Sequence, residues 1–246
     1  MSSGAAELAW VDVLHISDAV KSLPFLKGID PHNLAPLSNT VIVFVAVVLF
    51  AYLASKKIRK NQHSLVPSDK LTTQNVGELI VGSFSAILED IIGHGGSKYL
   101  WIIGSLGVFI LFSNLSGLIP GMLPPTDGIN TTAGCSLIVF FSTHIIGFKQ
   151  HGFGYLKQFT GPFWWLAWLM IPLEIISHLA RPLSLSLRLF GNIMGDHLVF
   201  AIIVGLAPIL VPIPVLVLGT FVAIVQTAVF VLLSTVYIAG AVSDAH

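Results

Sequence analysis

Residues 163–206 read FWWLAWLMIPLEIISHLARPLSLSLRLFGNIMGDHLVFAIIVGL. This apolar run is too long for one upright membrane span. A continuous helix of that length would reach about 66 Å, against about 30 Å of hydrocarbon. Either Pro172 and Pro182 break it into two spans, or one long helix lies steeply tilted. Inside it stand Glu174, His178, Arg181, Arg188, Asp196 and His197. A charge near mid-bilayer costs about 2.5–3.5 kcal/mol on insertion scales, so such residues need protein or water around them. On a helical wheel with Glu174 at the origin, His178 falls at about 40°, Arg181 at about −20°, Ser184 at about −80° and Arg188 at about −40°. Asn192 falls at about 0° and Asp196 at about 40°, so the seven residues share an arc of about 120°, with His197 outside it at about 140°, about 100° beyond its edge. The opposite face is Leu, Ile, Phe and Val. One polar stripe therefore runs along a helix that is otherwise built for lipid.

The structural alternatives differ from residue to residue. Arg181 could be an interfacial arginine whose stem lies in the apolar layer and whose head reaches water, or it could form a plain ion pair with Glu174. His178 taken alone reads as structural. Arg188 does not reduce so easily, because Leu183–Leu189 and Ile193–Leu206 leave few routes to an interface. His197 beside Asp196 is better placed for proton chemistry, since histidine titrates near neutral pH.

The rest of the chain agrees with a membrane protein. Of the 246 residues, 54% are hydrophobic and only 10% are charged, where a soluble domain carries roughly 25% charged residues. The mean hydropathy is +0.87. Lys+Arg and Asp+Glu are balanced at 12 each, which argues against nucleic acid as a partner. A single cysteine, Cys135, excludes an internal disulfide and a multi-cysteine metal site. Residues 1–36 form an N-terminal outer segment without the basic region and apolar run of a signal peptide. With Glu7, Asp12 and Asp18 and no arginine, it is not a transit peptide either.

Residues 37–240 form the membrane domain, with spans expected at 37–54, 98–118, 131–148, 163–206 and 215–240, and 241–246 as a short tail. The segment 73–93 is apolar at helical spacing but carries Glu78, Glu89 and Asp90, which fits an amphipathic helix lying on the membrane surface. Residues 120–128 and 208–214, rich in proline, read as outer loops. Lys56, Lys57, Arg59 and Lys60 follow the first span, and Lys149, His151 and Lys157 follow the third. These clusters place both loops in the cytoplasm, with the N-terminus outside and the C-terminus inside. The fold class is all-α: five transmembrane helices plus a surface helix, ending in a long tilted helical hairpin. In the last span Gln226 is centred among apolar residues. It shares a face with Gly219 and Ala223, small residues that let a neighbouring helix approach. Gln226 is either a helix-packing amide or a partner of the polar stripe.

These features limit the function. No Walker motif is present, so the chain does not itself hydrolyse ATP, and no H-E-x-x-H signals a metalloprotease. A voltage sensor would carry several regularly spaced arginines. A self-contained secondary ion transporter is the alternative class, but the halves of the chain do not resemble each other as inverted repeats would. A deep arginine without a dedicated carboxylate in its own chain suggests that its partner lies on another subunit.

The stretch Arg181-Pro-Leu-Ser-Leu-Ser-Leu-Arg188-Leu-Phe-Gly-Asn192 resembles the signature segment of the a-subunit of F-type ATP synthases. Gln226-Thr-Ala-Val-Phe-Val-Leu-Leu-Ser-Thr-Val-Tyr237-Ile is similar to that family's final helix. Asn114-Leu-Ser-Gly and Ile129-Asn130-Thr-Thr resemble forms seen in chloroplast and some bacterial members. The resemblance implies an ion-translocating stator without a catalytic site, cofactor or metal of its own. It would abut a rotating ring of c-subunits, with b-type peripheral stalk subunits and the rest of the synthase as further partners. Two offset half-channels would protonate and deprotonate the ring carboxylates, coupling proton flow to rotation and ATP synthesis. Arg188 would separate the half-channels. Gln226, Ser184 and Asn192 match polar positions around the arginine, Glu174 an acidic residue on the cytoplasmic side with His178 beside it, and His197 a position on the outer ion path. Many members carry His or Glu seven residues before the glutamine. Here Gly219 stands there, and Asp196 beside His197 is expected to share that role. A bacterial plasma (inner) membrane is expected rather than a thylakoid. The choice between proton and sodium, the ring size and the direction of operation are not readable from these residues.

Overall fold

The computed structural model describes residues 31–60, 73–93, 95–119, 122–156, 167–206 and 212–243. The expected outer segment up to residue 30, the basic residue Lys157 and the start of the long run at 163–166 lie outside the described residues. Among the described residues six α-helices follow in order: α1 (Pro31–Lys60), α2 (Thr73–Ile92), α3 (Leu100–Ser116), α4 (Ile129–His151), α5 (Ala167–Leu206) and α6 (Pro212–Val242). Short 3-10 turns at Gly96–Tyr99, Pro125–Asp127 and Gly152–Leu156 flank α3 and α4. Among the described residues there is no strand.

Four of these segments are long and apolar enough to cross a membrane: Gly96–Ser116, Ile129–His151, Trp168–Leu206 and Pro212–Val242. The fifth expected span corresponds to α1, whose apolar part, Asn39–Ser55, is shorter. Helix α2 covers the expected surface segment.

The long run is one helix. Residues 167–206 form 40 consecutive helical residues with Pro172 and Pro182 inside, about 60 Å end to end. Each proline removes one backbone hydrogen bond, but a full break in an apolar setting would leave still more backbone groups without water or a partner. The next helix begins at Pro212, inside the stretch expected to be loop. Proline is well tolerated in a first turn, where its missing N–H would have no helical partner and its fixed φ suits the helix.

Helix α6 is the centre of the assembly. Phe230 turns toward a cluster made with Ile110 of α3, Cys135 and Val139 of α4, and Leu185, Leu189 and Ile193 of α5. The adjacent Val231, with Ile238, turns toward Phe84 and Leu88 of α2 and Ile103 of α3. Successive residues on a helix point about 100° apart, so one helix serves two cores. Gly107 makes this crossing possible: a Cβ there would sit 2.7 Å from Val231 Cγ2 and 2.8 Å from Phe84 Cε2.

Outside these cores the surface is apolar. Trp168, Leu183 and Leu206 of α5 are 77%, 60% and 81% exposed, the reverse of a water-soluble helix and the expected result where lipid or another subunit covers the chain.

Candidate functional site

The site is built along α5, with α4, α6 and the Pro125–Asp127 turn supplying partners. At its middle, Arg188 is exposed on the face that α4 and α6 leave open, while its neighbour Leu189 is fully buried. The guanidinium Nη2 donates to Ser184 Oγ, one turn earlier, at 3.5 Å. Gly191 and Gly195 lie further along α5, and a Cβ on either would meet nothing within 4 Å. The open face is therefore narrow-shouldered around a single cation.

One turn beyond Arg188, Asn192 Nδ2 donates to Gln226 Oε1 of α6 at 2.7 Å. Gln226 is 5% exposed, and a buried amide without a partner would cost about 1–3 kcal/mol. The glutamine of the last helix thus meets the polar stripe through Asn192.

Beyond this pair a cavity of ≈ 180 Å³ opens between α3, α5 and α6, roomy enough for several waters. Asn114, Gly117, Asp196, His197, Gly219 and Ala223 are among its walls. His197 packs on Gly117, where a Cβ would come within 2.7 Å of Nε2. Gly219 lines the same cavity as Asp196 and His197, so the carboxyl and imidazole share this space with a position that has no side chain. Asn114 is held from three sides. Thr126 Oγ1 of the Pro125–Asp127 turn donates to its Oδ1 at 2.8 Å, and its Nδ2 reaches Ala223 O at 3.4 Å and Thr227 Oγ1 at 3.5 Å on α6.

At the opposite end of the stripe, His178 is buried, and its Nδ1 lies 2.9 Å from Glu174 O and 3.2 Å from Glu174 Oε1. Its ring stands edge-on to His144 of α4, with centroids 5.3 Å apart. His144 Nδ1 in turn lies 2.9 Å from Phe140 O, and its ring meets Tyr155 at 6.0 Å. The guanidinium of Arg181 sits 5.6 Å above the Tyr237 ring of α6, within cation–π range. His144, His178, Arg181 and Tyr237 line a cavity of ≈ 10 Å³, close to the minimum for one water. Burial raises the Tyr155 phenol above its ordinary value, Arg181 works against that shift, and Glu174 adds to it. The phenol therefore stays neutral through the physiological range.

Every residue expected from the sequence lies along this one line: Glu174 and His178 at one end, Ser184 and Arg188 at the middle, Asn192 with Gln226 next, and Asp196 with His197 at the other end. Arg181 is not ion-paired to Glu174 within 4 Å among the described contacts, and stacks on Tyr237 instead. Sequence reasoning missed His144 and the Thr126–Asn114 link. His144 carried the same signal as the stripe, an ionisable residue inside an apolar span. Thr126 carried none, because its partner is set by the tertiary fold.

Residues 37–239 match the family described as ATP synthase A chain. The chain belongs to this family. Among its relatives, ATP synthase subunit a of Geobacter sulfurreducens is 45% identical over 222 residues, covering 90% of this chain and 96% of the relative. ATP synthase subunit a 1 of Syntrophotalea carbinolica is 50% identical over 223 residues, covering 90% and 94%. ATP synthase subunit a of Trichlorobacter lovleyi is 42% identical over 234 residues, covering 95% and 93%. The chain is thus an ATP synthase A chain family member embedded in a membrane, and its bacterial relatives fit an inner membrane. The matched region includes α1 from residue 37 and ends within α6, so the whole polar line falls inside it.

Proposed function

We propose that the chain is the ion-conducting stator of an F-type ATP synthase membrane sector, and that the two cavities beside α5 described above are the inner ends of two offset half-channels. The observation that carries this reading is the position of Arg188. It lies on an open face of α5, about 12 Å along the helix from Asp196 and about 15 Å from His178. A fixed cation between two acid–base clusters blocks a straight proton path, because it repels a proton moving past it. An opposite charge within about 4–6 Å also holds a facing carboxylate ionised. Arginine suits this role better than lysine because it stays protonated.

The carboxylate would come from a c-subunit ring seated on the open face. Ser184, Gly191 and Gly195 leave room for a close helix approach beside Arg188, and Leu187 and Leu198, 47% and 52% exposed, offer apolar contact. A carboxylate protonated from one half-channel could turn toward lipid, and an ionised one would stay near Arg188, so ion flow drives rotation. In the outer half-channel Asp196, His197 and Asn114 pass the proton inward. In the inner one His178, His144 and Glu174 pass it to the cytoplasm. Helix α1 is then a fifth crossing, α2 lies on the inner surface, the N-terminus is outside and the C-terminus is cytoplasmic. The b-type stalk subunits complete the stator.

Thiol accessibility tests this arrangement. In a Cys135→Ala background, cysteines at Asp196 and His197 should react with a membrane-impermeant thiol reagent only from outside, and cysteines at Glu174 and His178 only from the cytoplasm. Reaction of all four from one side would rule out two half-channels.

A further inference from the structure

At the end of the bundle where α3 begins and α4 ends, a groove of ≈ 440 Å³ lies between the two helices, walled by Lys98, Tyr99, Trp101, Ile102, Ile146, Lys149 and Gln150. We propose that this groove binds the headgroup of an anionic phospholipid.

The two lysines come from different elements, Lys98 from the 3-10 turn before α3 and Lys149 from the last turn of α4, and the fold brings them to one cavity. Among the described residues no carboxylate lines it, and neither lysine has a salt bridge. The local shape favours this placement. Gly95 adopts φ 106, a left-handed conformation that glycine takes without strain, and Lys98 Nζ lies 4.0 Å from where a Cβ of Gly95 would stand. The ammonium is thereby folded over the turn at the mouth of the groove.

The walls fit a lipid rather than free phosphate. Ile102 and Ile146 form an apolar part, and the outer surface continues through Trp101, Ile145 and Phe148, which are 73%, 66% and 43% exposed. Tryptophan and tyrosine at this level mark a membrane interface. Basic pockets between membrane helices recognise lipid phosphates, while adjoining apolar surface takes the acyl chains. Two ammonium groups suit a phosphodiester without a compensating choline or ethanolamine cation, such as phosphatidylglycerol.

The experiment uses the complete synthase complex in nanodiscs doped with photoreactive phosphatidylglycerol or photoreactive phosphatidylcholine, with adducts mapped by mass spectrometry. Phosphatidylglycerol should label peptides containing residues 98–102 and 146–150 in preference to phosphatidylcholine, with excess inorganic phosphate leaving the labelling intact. K98Q/K149Q should lower it about thirtyfold, and K98R/K149R should keep it. Equal labelling by both lipids, loss of labelling to inorganic phosphate, or no labelling because another subunit covers the groove would each overturn the proposal. If K98Q/K149Q fails to assemble, the comparison of the two lipids on the unaltered complex decides alone.

Discussion

Arg188 and its neighbours illustrate how single side chains are held for a task. Gln226 is buried and gives its oxygen to Asn192. Replacing it with leucine removes a bond worth about 0.5–1.5 kcal/mol net, too little to unfold the hairpin. Gln226→Leu should therefore assemble normally, while gradient-driven ATP synthesis in membrane vesicles falls severalfold. His197 depends on a residue with no polar group at all. Because a Cβ on Gly117 would come within 2.7 Å of its Nε2, Gly117→Ala should push the imidazole out of place. Proton-driven synthesis should drop in this variant as it does in His197→Ala, and His197→Ala should add little to Gly117→Ala. Additive losses would show that the glycine acts elsewhere.

The polar stripe is legible in the amino-acid sequence because helical periodicity alone aligns Glu174, His178, Arg181, Arg188, Asn192 and Asp196. Partners on other helices are not legible there. The His144–His178 stack and the Thr126–Asn114 bond join residues whose separation in sequence says nothing about contact.

At the scale of elements, the continuity of α5 is decided by surroundings rather than by composition. Pro172 and Pro182 argue equally for a break and for a tilted rod; the helix runs through both. Local propensity counts the lost hydrogen bond, but not the absence of water to replace it. For α2, the mixture of apolar and acidic residues is readable, whereas its packing of Phe84 and Leu88 against α6 is not. The helix crossings themselves rest on small residues. Gly107→Val would place branched carbon where Val231 and Phe84 already stand, an overpacking cost of about 1–3 kcal/mol or more. Its yield of detergent-solubilised complex should fall well below that of Gly134→Ala, since Gly134 has nothing within 4 Å of its would-be Cβ. Equal yields would show that the α2–α3–α6 crossing is not needed for assembly.

Across the whole molecule, α6 ties two cores together while α5 keeps one face open, with Arg188 at its middle and a cavity toward each end. The chain leaves this cation exposed, and on the proposed function a second subunit supplies its partner. Arg181, about 10 Å nearer the start of α5 and stacked on Tyr237, is part of the wall of the smaller cavity, so Arg181→Ala should reduce ATP synthesis far less than Arg188→Ala. The most direct measurement of the central claim is ATP synthesis by proteoliposomes holding the Arg188→Ala complex under an imposed proton gradient. Assembly is checked in the same preparation, and ATP hydrolysis is assayed on the detached catalytic head. Synthesis should be abolished while assembly and hydrolysis remain normal. Near-normal synthesis by a normally assembled Arg188→Ala complex would contradict the account.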